Sequence, residues 1–204
     1  MKKLIACLVL MSSISAMAQI TGSAHDFYTA PKPAWNGTTE LCIACHTPHN
    51  ALATGQALDG PLWNHAITAT ATFTLYTGTG TLNALDVGQP DGVSKLCLSC
   101  HDGSVALDSF GGNTVSPGTM ITGTALVGTD LSNDHPVSFT YNTALATADG
   151  GLYDPATVTA VSDLLFSDKV ECSSCHDVHN GGGFANLLVM ANTGSALCLT
   201  CHNK

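Results

Sequence analysis

The chain has 204 residues, 45% hydrophobic and only 10% charged, with six basic residues against fifteen acidic ones and a formal net charge of −9. That balance leaves no basic surface for a nucleic-acid backbone, so nucleic-acid binding is excluded. A charged fraction well under the roughly 25% of an ordinary soluble domain, with a mean hydropathy of +0.22 but only 6% aromatic residues, shows that large side chains are not what fills or covers this molecule.

Residues 1–18 hold Lys2 and Lys3, an apolar run from Leu4 to Met11 and the small-residue ending Ala16-Met17-Ala18. This is the pattern of a secretory signal peptide, and the run is too short to cross a bilayer. Cleavage after Ala18 is expected to leave a mature, exported chain of residues 19–204 with four lysines (Lys32, Lys95, Lys169, Lys204), no arginine and all fifteen acids. Leu4-Ile5-Ala6-Cys7 imitates a lipoprotein box, but the apolar run continues past Cys7. No other stretch is apolar enough to span a membrane.

Past the leader the chain is dominated by one repeated pentad: Cys42-Ile43-Ala44-Cys45-His46, Cys97-Leu98-Ser99-Cys100-His101, Cys172-Ser173-Ser174-Cys175-His176 and Cys198-Leu199-Thr200-Cys201-His202. Cys-x-x-Cys-His is the attachment site of a c-type haem. Two thiols on one turn bond to the porphyrin vinyl groups, and the next residue places an imidazole beneath the iron. The motifs account for eight of nine cysteines, the ninth being Cys7. A disulfide framework or a zinc ribbon gives no reason for a histidine after every second cysteine. Four covalently attached haems are expected, on Cys42, Cys45, Cys97, Cys100, Cys172, Cys175, Cys198 and Cys201. Two readings of the low charge then fit together: porphyrins forming most of the core, and neighbouring subunits covering apolar surface.

The motifs themselves come in pairs. Cys42 to Asn50 matches Cys172 to Asn180, each ending in His-x-x-His-Asn, and Leu96 to His101 matches Leu197 to His202. The repeating unit is therefore a haem pair, with unit one at about 25–110 and unit two at about 130–204. Fifty-five residues separate Cys42 from Cys97, against twenty-six between Cys172 and Cys198, and the Thr-rich stretch from Ile67 to Thr81 lies within the extra length. Its alternation from Ile67 to Tyr76 suits a strand, and Asp154 to Phe166 suits a short helix. Gly-Gly steps and prolines interrupt most other segments. The expected fold is mostly irregular coil with a few short α-helices and little β, one haem-packed domain made of two haem-pair repeats.

Each motif histidine (His46, His101, His176, His202) is expected to be the proximal ligand of its own iron. Five histidines remain, His25, His49, His65, His135 and His179, and the mature chain has only two methionines, Met120 and Met190. Bis-histidine ligation at all four irons is the economical solution, giving irons closed to substrate and of low potential. An enzyme would need an open iron, and none of the four motifs departs from the pattern. Within each unit His49 is expected to serve the Cys97 haem and His179 the Cys198 haem. By symmetry His25 serves the Cys42 haem and His135 the Cys172 haem, with His65 in Trp63-Asn64-His65 as the spare.

The doubled motif, with Cys45-His46-Thr47-Pro48-His49-Asn50 and Cys175-His176-Asp177-Val178-His179-Asn180, resembles the doubled-CxxCH multihaem c-type cytochromes. Pro61-Leu62-Trp63-Asn64-His65, the run from Cys97 to Ala106, and Asn133-Asp134-His135-Pro136-Val137 resemble one branch of these. That branch holds small exported tetrahaem cytochromes of metal-reducing bacteria, including the outer-surface filament (nanowire) subunits of OmcE type. The resemblance implies a loop-rich fold, a continuous haem chain and one axial histidine donated across a subunit boundary, for which His25 on a short N-terminal arm is the expected donor. The resulting expectation is an electron-transfer protein rather than an enzyme: a head-to-tail homopolymer at the cell outer surface passing electrons between redox partner proteins and extracellular acceptors. The alternative is a monomeric periplasmic shuttle.

Overall fold

Gly, Pro and Thr interrupt almost every apolar run, so the backbone has few stretches in which to build long elements. The computed structural model describes residues 19–27, 40–60, 62–78, 80–113 and 118–203, and the leader expected at 1–18 lies outside them. Most described residues lie in turns and irregular backbone. The α-helices among them are short: α1 Ala53–Gln56, α2 Gly92–His101, α3 Thr143–Asp149, α4 Thr159–Ser162 and α5 Ala196–Cys201. β1 (Thr74–Leu75) pairs in parallel with β2 (Asp130–Leu131), and β3 (Phe139–Thr140) pairs antiparallel with β4 (Lys169–Val170). The irregular fold expected from the sequence is the one observed. No helix among the described residues is long and apolar enough to cross a membrane.

Two elements are shorter than the sequence suggests, for the same reason. In the Thr-rich stretch, β1 is confined to Thr74–Leu75. The Thr68 N–H bonds Ser99 Oγ at 3.0 Å, the Ala69 N–H bonds Ser104 Oγ at 3.0 Å, and the Phe73 N–H bonds Gln89 Oε1 at 2.6 Å. Side chains satisfy these amides, so no ladder is needed. Between Asp154 and Phe166 only α4 is α-helical. Asp154 folds a turn by accepting the Ala156 N–H on Oδ1 at 2.9 Å, and Val158 stays extended at φ −116°. By contrast α3 carries its own signals: Asn142 Oδ1 accepts the Leu145 N–H at 3.1 Å, and Gly150, at φ 68°, closes the other end.

The apolar core is split into three small clusters, each touching a motif. Phe139, Tyr141, Ala146, Val161 and Val170 pack together with Cys201 at their side. Ala44 packs on Phe110 with Ile43 against them. Leu98 packs with Phe73 and Leu131. Ile43, Ala44 and Leu98 are the spacer residues of two motifs, so the spacers anchor each cysteine pair to the core.

Candidate haem-binding sites

Each pentad folds as a tight turn that puts its two thiols and its histidine within reach of one another. The backbone N–H of the histidine bonds the carbonyl of the first cysteine in three of them: His46 to Cys42 at 2.8 Å, His176 to Cys172 at 3.1 Å and His202 to Cys198 at 2.9 Å. The Cys97–His101 pentad forms the second half of helix α2, and Cys198–Cys201 lie in α5, where i and i+3 share a face. The Cys172 site sits on a 3-10 turn, Cys172–Ser174. All eight described cysteines are free thiols. Burial pushes the Cys45 and Cys201 thiols up to about 11 and raises Cys100 and Cys175 as well.

The thiols also give the order of the sites. Cys45 lies near enough to Cys97 and Cys100 to raise both thiols electrostatically. Cys97 and Cys172 are close enough to each other that Cys97 is raised and Cys172 lowered. Cys175 neighbours Cys198 and Cys201. The four attachment sites therefore follow one another in space in the order of the chain.

The histidines pair across the molecule. Two imidazoles on opposite sides of one metal ion, each with a metal–nitrogen bond of about 2 Å, stand roughly 6 Å apart between ring centroids. The ring centroids of His25 and His101 are 6.0 Å apart, those of His46 and His179 6.2 Å, and those of His135 and His202 6.4 Å. The ring planes differ by 62°, 16° and 75° respectively. Backbone carbonyls hold several of these rings by Nδ1: Ala125 O at 2.7 Å from His101, Pro136 O at 2.8 Å from His135, and Asn186 O at 2.9 Å from His176. An Nδ1–H donated to a carbonyl fixes the tautomer and leaves Nε2 as the metal ligand. Exposed apolar side chains lie in the adjoining segments: Leu126 and Val127 follow Ala125, Val178 and Phe184 follow His176, and Leu199 lies inside the Cys198 motif. The ring spacing, the fixed tautomers and this apolar surface fit covalently bound haem c.

Residues 166–204 match the Doubled CXXCH motif family. The match supports a multihaem c-type cytochrome carrying covalently bound haem. It spans the Cys172 and Cys198 sites, the second haem-pair unit. No curated protein matches the chain.

The pairing differs from the one expected from the sequence. His25 faces His101 of the Cys97 site, not the Cys42 site, and it does so within its own chain rather than across a boundary. His179 faces His46 of the Cys42 site, not the Cys198 site, and His135 faces His202, not His176. The expectation kept each histidine inside its own repeat; His25–His101 and His135–His202 do stay within their units, whereas His179–His46 joins one unit to the other. The N-terminal arm is docked: Asp26 is 1% exposed and accepts the Gly22 N–H at 2.6 Å, while the Gln19 N–H bonds His179 O at 2.7 Å.

His65 and His49 occupy opposite environments. His65 is 1% exposed, with Nδ1 2.7 Å from Ala66 O and Nε2 3.1 Å from Ala106 O. Burial lowers its pKa, and it lies beside Cys100 rather than opposite a motif histidine. His49 is exposed and its N–H bonds only Thr47 Oγ1, within its own turn. His176 is likewise exposed, and among the described residues no ring faces it.

Proposed function

We propose that this chain is an exported tetrahaem cytochrome that conducts electrons along a row of four bis-histidine haems, assembled head-to-tail into an extracellular filament. The observation that carries the reading is the set of three imidazole pairs at 6.0, 6.2 and 6.4 Å, each containing one motif histidine. Haem bound there supplies one-electron chemistry. The paired imidazoles of His25 and His101, His46 and His179, and His135 and His202 would hold such an iron from two sides, leaving it to pass electrons and bind no substrate. With attachment sites in chain order, an electron has a continuous path without a docking step.

The filament rests on His176 and His49. Three pairs are complete within the chain; His176 has its Nδ1 anchored and its ring exposed, and His49 is the exposed histidine that remains. His49 donated to His176 of a neighbouring copy completes the fourth iron. A contact between two different surfaces that does not close on itself yields an open polymer. Negative-stain images of the secreted protein, with intact mass and optical spectra, test this. Four haem additions, all irons low-spin and filaments lost in His49→Ala are the expected results. Monodisperse particles with four low-spin haems would instead make the protein a soluble shuttle.

A further inference from the structure

Glu171 is the residue immediately before Cys172, and at 2% exposure it is among the most buried ionisable side chains described. A carboxylate removed from water must be fully hydrogen-bonded or it destabilises the fold by several kcal/mol. Its Oε2 accepts the Ser94 hydroxyl, the Ser94 N–H at 3.2 Å and the Ser138 hydroxyl at 3.0 Å. Ser94 Oγ in turn accepts the Cys172 N–H at 2.9 Å, and the Glu171 N–H bonds Ser174 Oγ at 2.9 Å. Around it, Asp91 gives its N–H to Ser138 Oγ at 3.1 Å and its carboxylate to Lys169 Nζ at 2.7 Å.

This arrangement replaces a local cap with a long-range one. Asp91 stands at the N-cap of α2, yet its side chain accepts no cap hydrogen bond and turns to Lys169 instead. The amide at the third helical position, Ser94, is taken by Glu171 from the other repeat unit. Gly92 leaves room for it: a Cβ there would lie 3.1 Å from Glu171 Oε1. One carboxylate thus ties the first turn of the helix that carries Cys97 to the turn that carries Cys172. The repeats show that the device belongs to this seam. Ser94 has its counterpart in Ser195, three residues before Cys198, but the counterpart of Glu171 before Cys42 is Leu41.

We propose that Glu171 is a positioning residue that clamps the second and third haem sites together and so joins the two haem-pair units into one electron path. The proposal rests on the haem reading above. Its test uses the secreted holoprotein as wild type, Glu171→Ala, Glu171→Gln and Ser138→Ala. Intact mass counts haems, optical spectra check spin state, and the Soret circular-dichroism couplet with ferric EPR broadening reports coupling between neighbouring haems. The expected result is four low-spin haems in Glu171→Ala with one of the three neighbour couplings lost, and its recovery in Glu171→Gln, whose amide oxygen accepts the same serine hydrogens. Unchanged coupling in Glu171→Ala would overturn the proposal. Should that variant fail to mature, Ser138→Ala decides: partial loss of coupling at full haem content supports the clamp, and no loss overturns it. A wild type with no haem would refute the haem reading itself, a separable failure.

Discussion

His46 and His179 come from different repeat units, 133 positions apart in the chain, and their rings lie 6.2 Å apart and within 16° of parallel. His179→Ala is therefore expected to open the iron of the Cys42 site and leave the Cys198 site low-spin. Carbon monoxide binding and a high-spin EPR signal, assigned by comparison with His135→Ala, check it; opening of the Cys198 iron instead would refute the observed pairing. Glu171 gives a pH prediction at the same scale. Burial is the main cause that raises its carboxyl above the ordinary value of 4.5, with the Ser94 and Ser138 hydrogen bonds acting in the opposite direction. A group whose folded pKa is raised contributes stability that is present below the unfolded value and lost as pH rises through the folded one. Wild type is thus expected to be most stable relative to Glu171→Gln below pH 4.5, the difference shifting toward the variant as pH increases. Guanidinium midpoints of both holoproteins across that range measure it, and a difference independent of pH would count against a raised carboxyl.

Helix α2 begins with Gly92 at φ 47°, a left-handed conformation, with Glu171 Oε1 3.1 Å from where a Cβ would stand. Gly92→Ala adds a Cβ against that carboxylate and is expected to cost about 1–2 kcal/mol, read as a lower denaturation midpoint with haem content unchanged. At the other end of the molecule, the Tyr141 hydroxyl donates to Tyr153 O at 2.7 Å and lies 3.2 Å from Cys201 O, so it ties the largest core cluster to α5. Tyr141→Phe is expected to cost about 1 kcal/mol, with the Cys198 site loosened before the others in hydrogen exchange. Short elements suit such a protein. A ten-residue helix or a 3-10 turn is enough to present two thiols and a histidine, and the spacers Ile43, Ala44 and Leu98 root those turns in the core.

For the molecule as a whole, a fixed row of haems and a diffusing shuttle differ in their response to salt. Charge-steered docking weakens steeply as ionic strength rises, whereas transfer between haems held in one polymer involves no encounter. Electron flux through the assembled protein is expected to change little across that range. A strong decline with added salt would favour the shuttle.

The repeated pentads made haem attachment, the pairing of motifs and the loop-rich fold legible from the chain alone, because covalent chemistry needs those residues at that spacing and Gly and Pro deny the backbone long elements. Which of the other histidines faces which motif was not, because these contacts depend on how the chain packs, within a unit for His25 and His135 and across the units for His179, and no local pattern encodes them. His65 carries the same residue type as the others, and only its burial between Ala66 and Ala106 sets it apart. Glu171 reads in sequence as an ordinary acid before a cysteine. Its meeting with Ser94, seventy-seven residues away, exists only once the two repeats are folded against each other, where a buried carboxylate must find donors and the helix start supplies them.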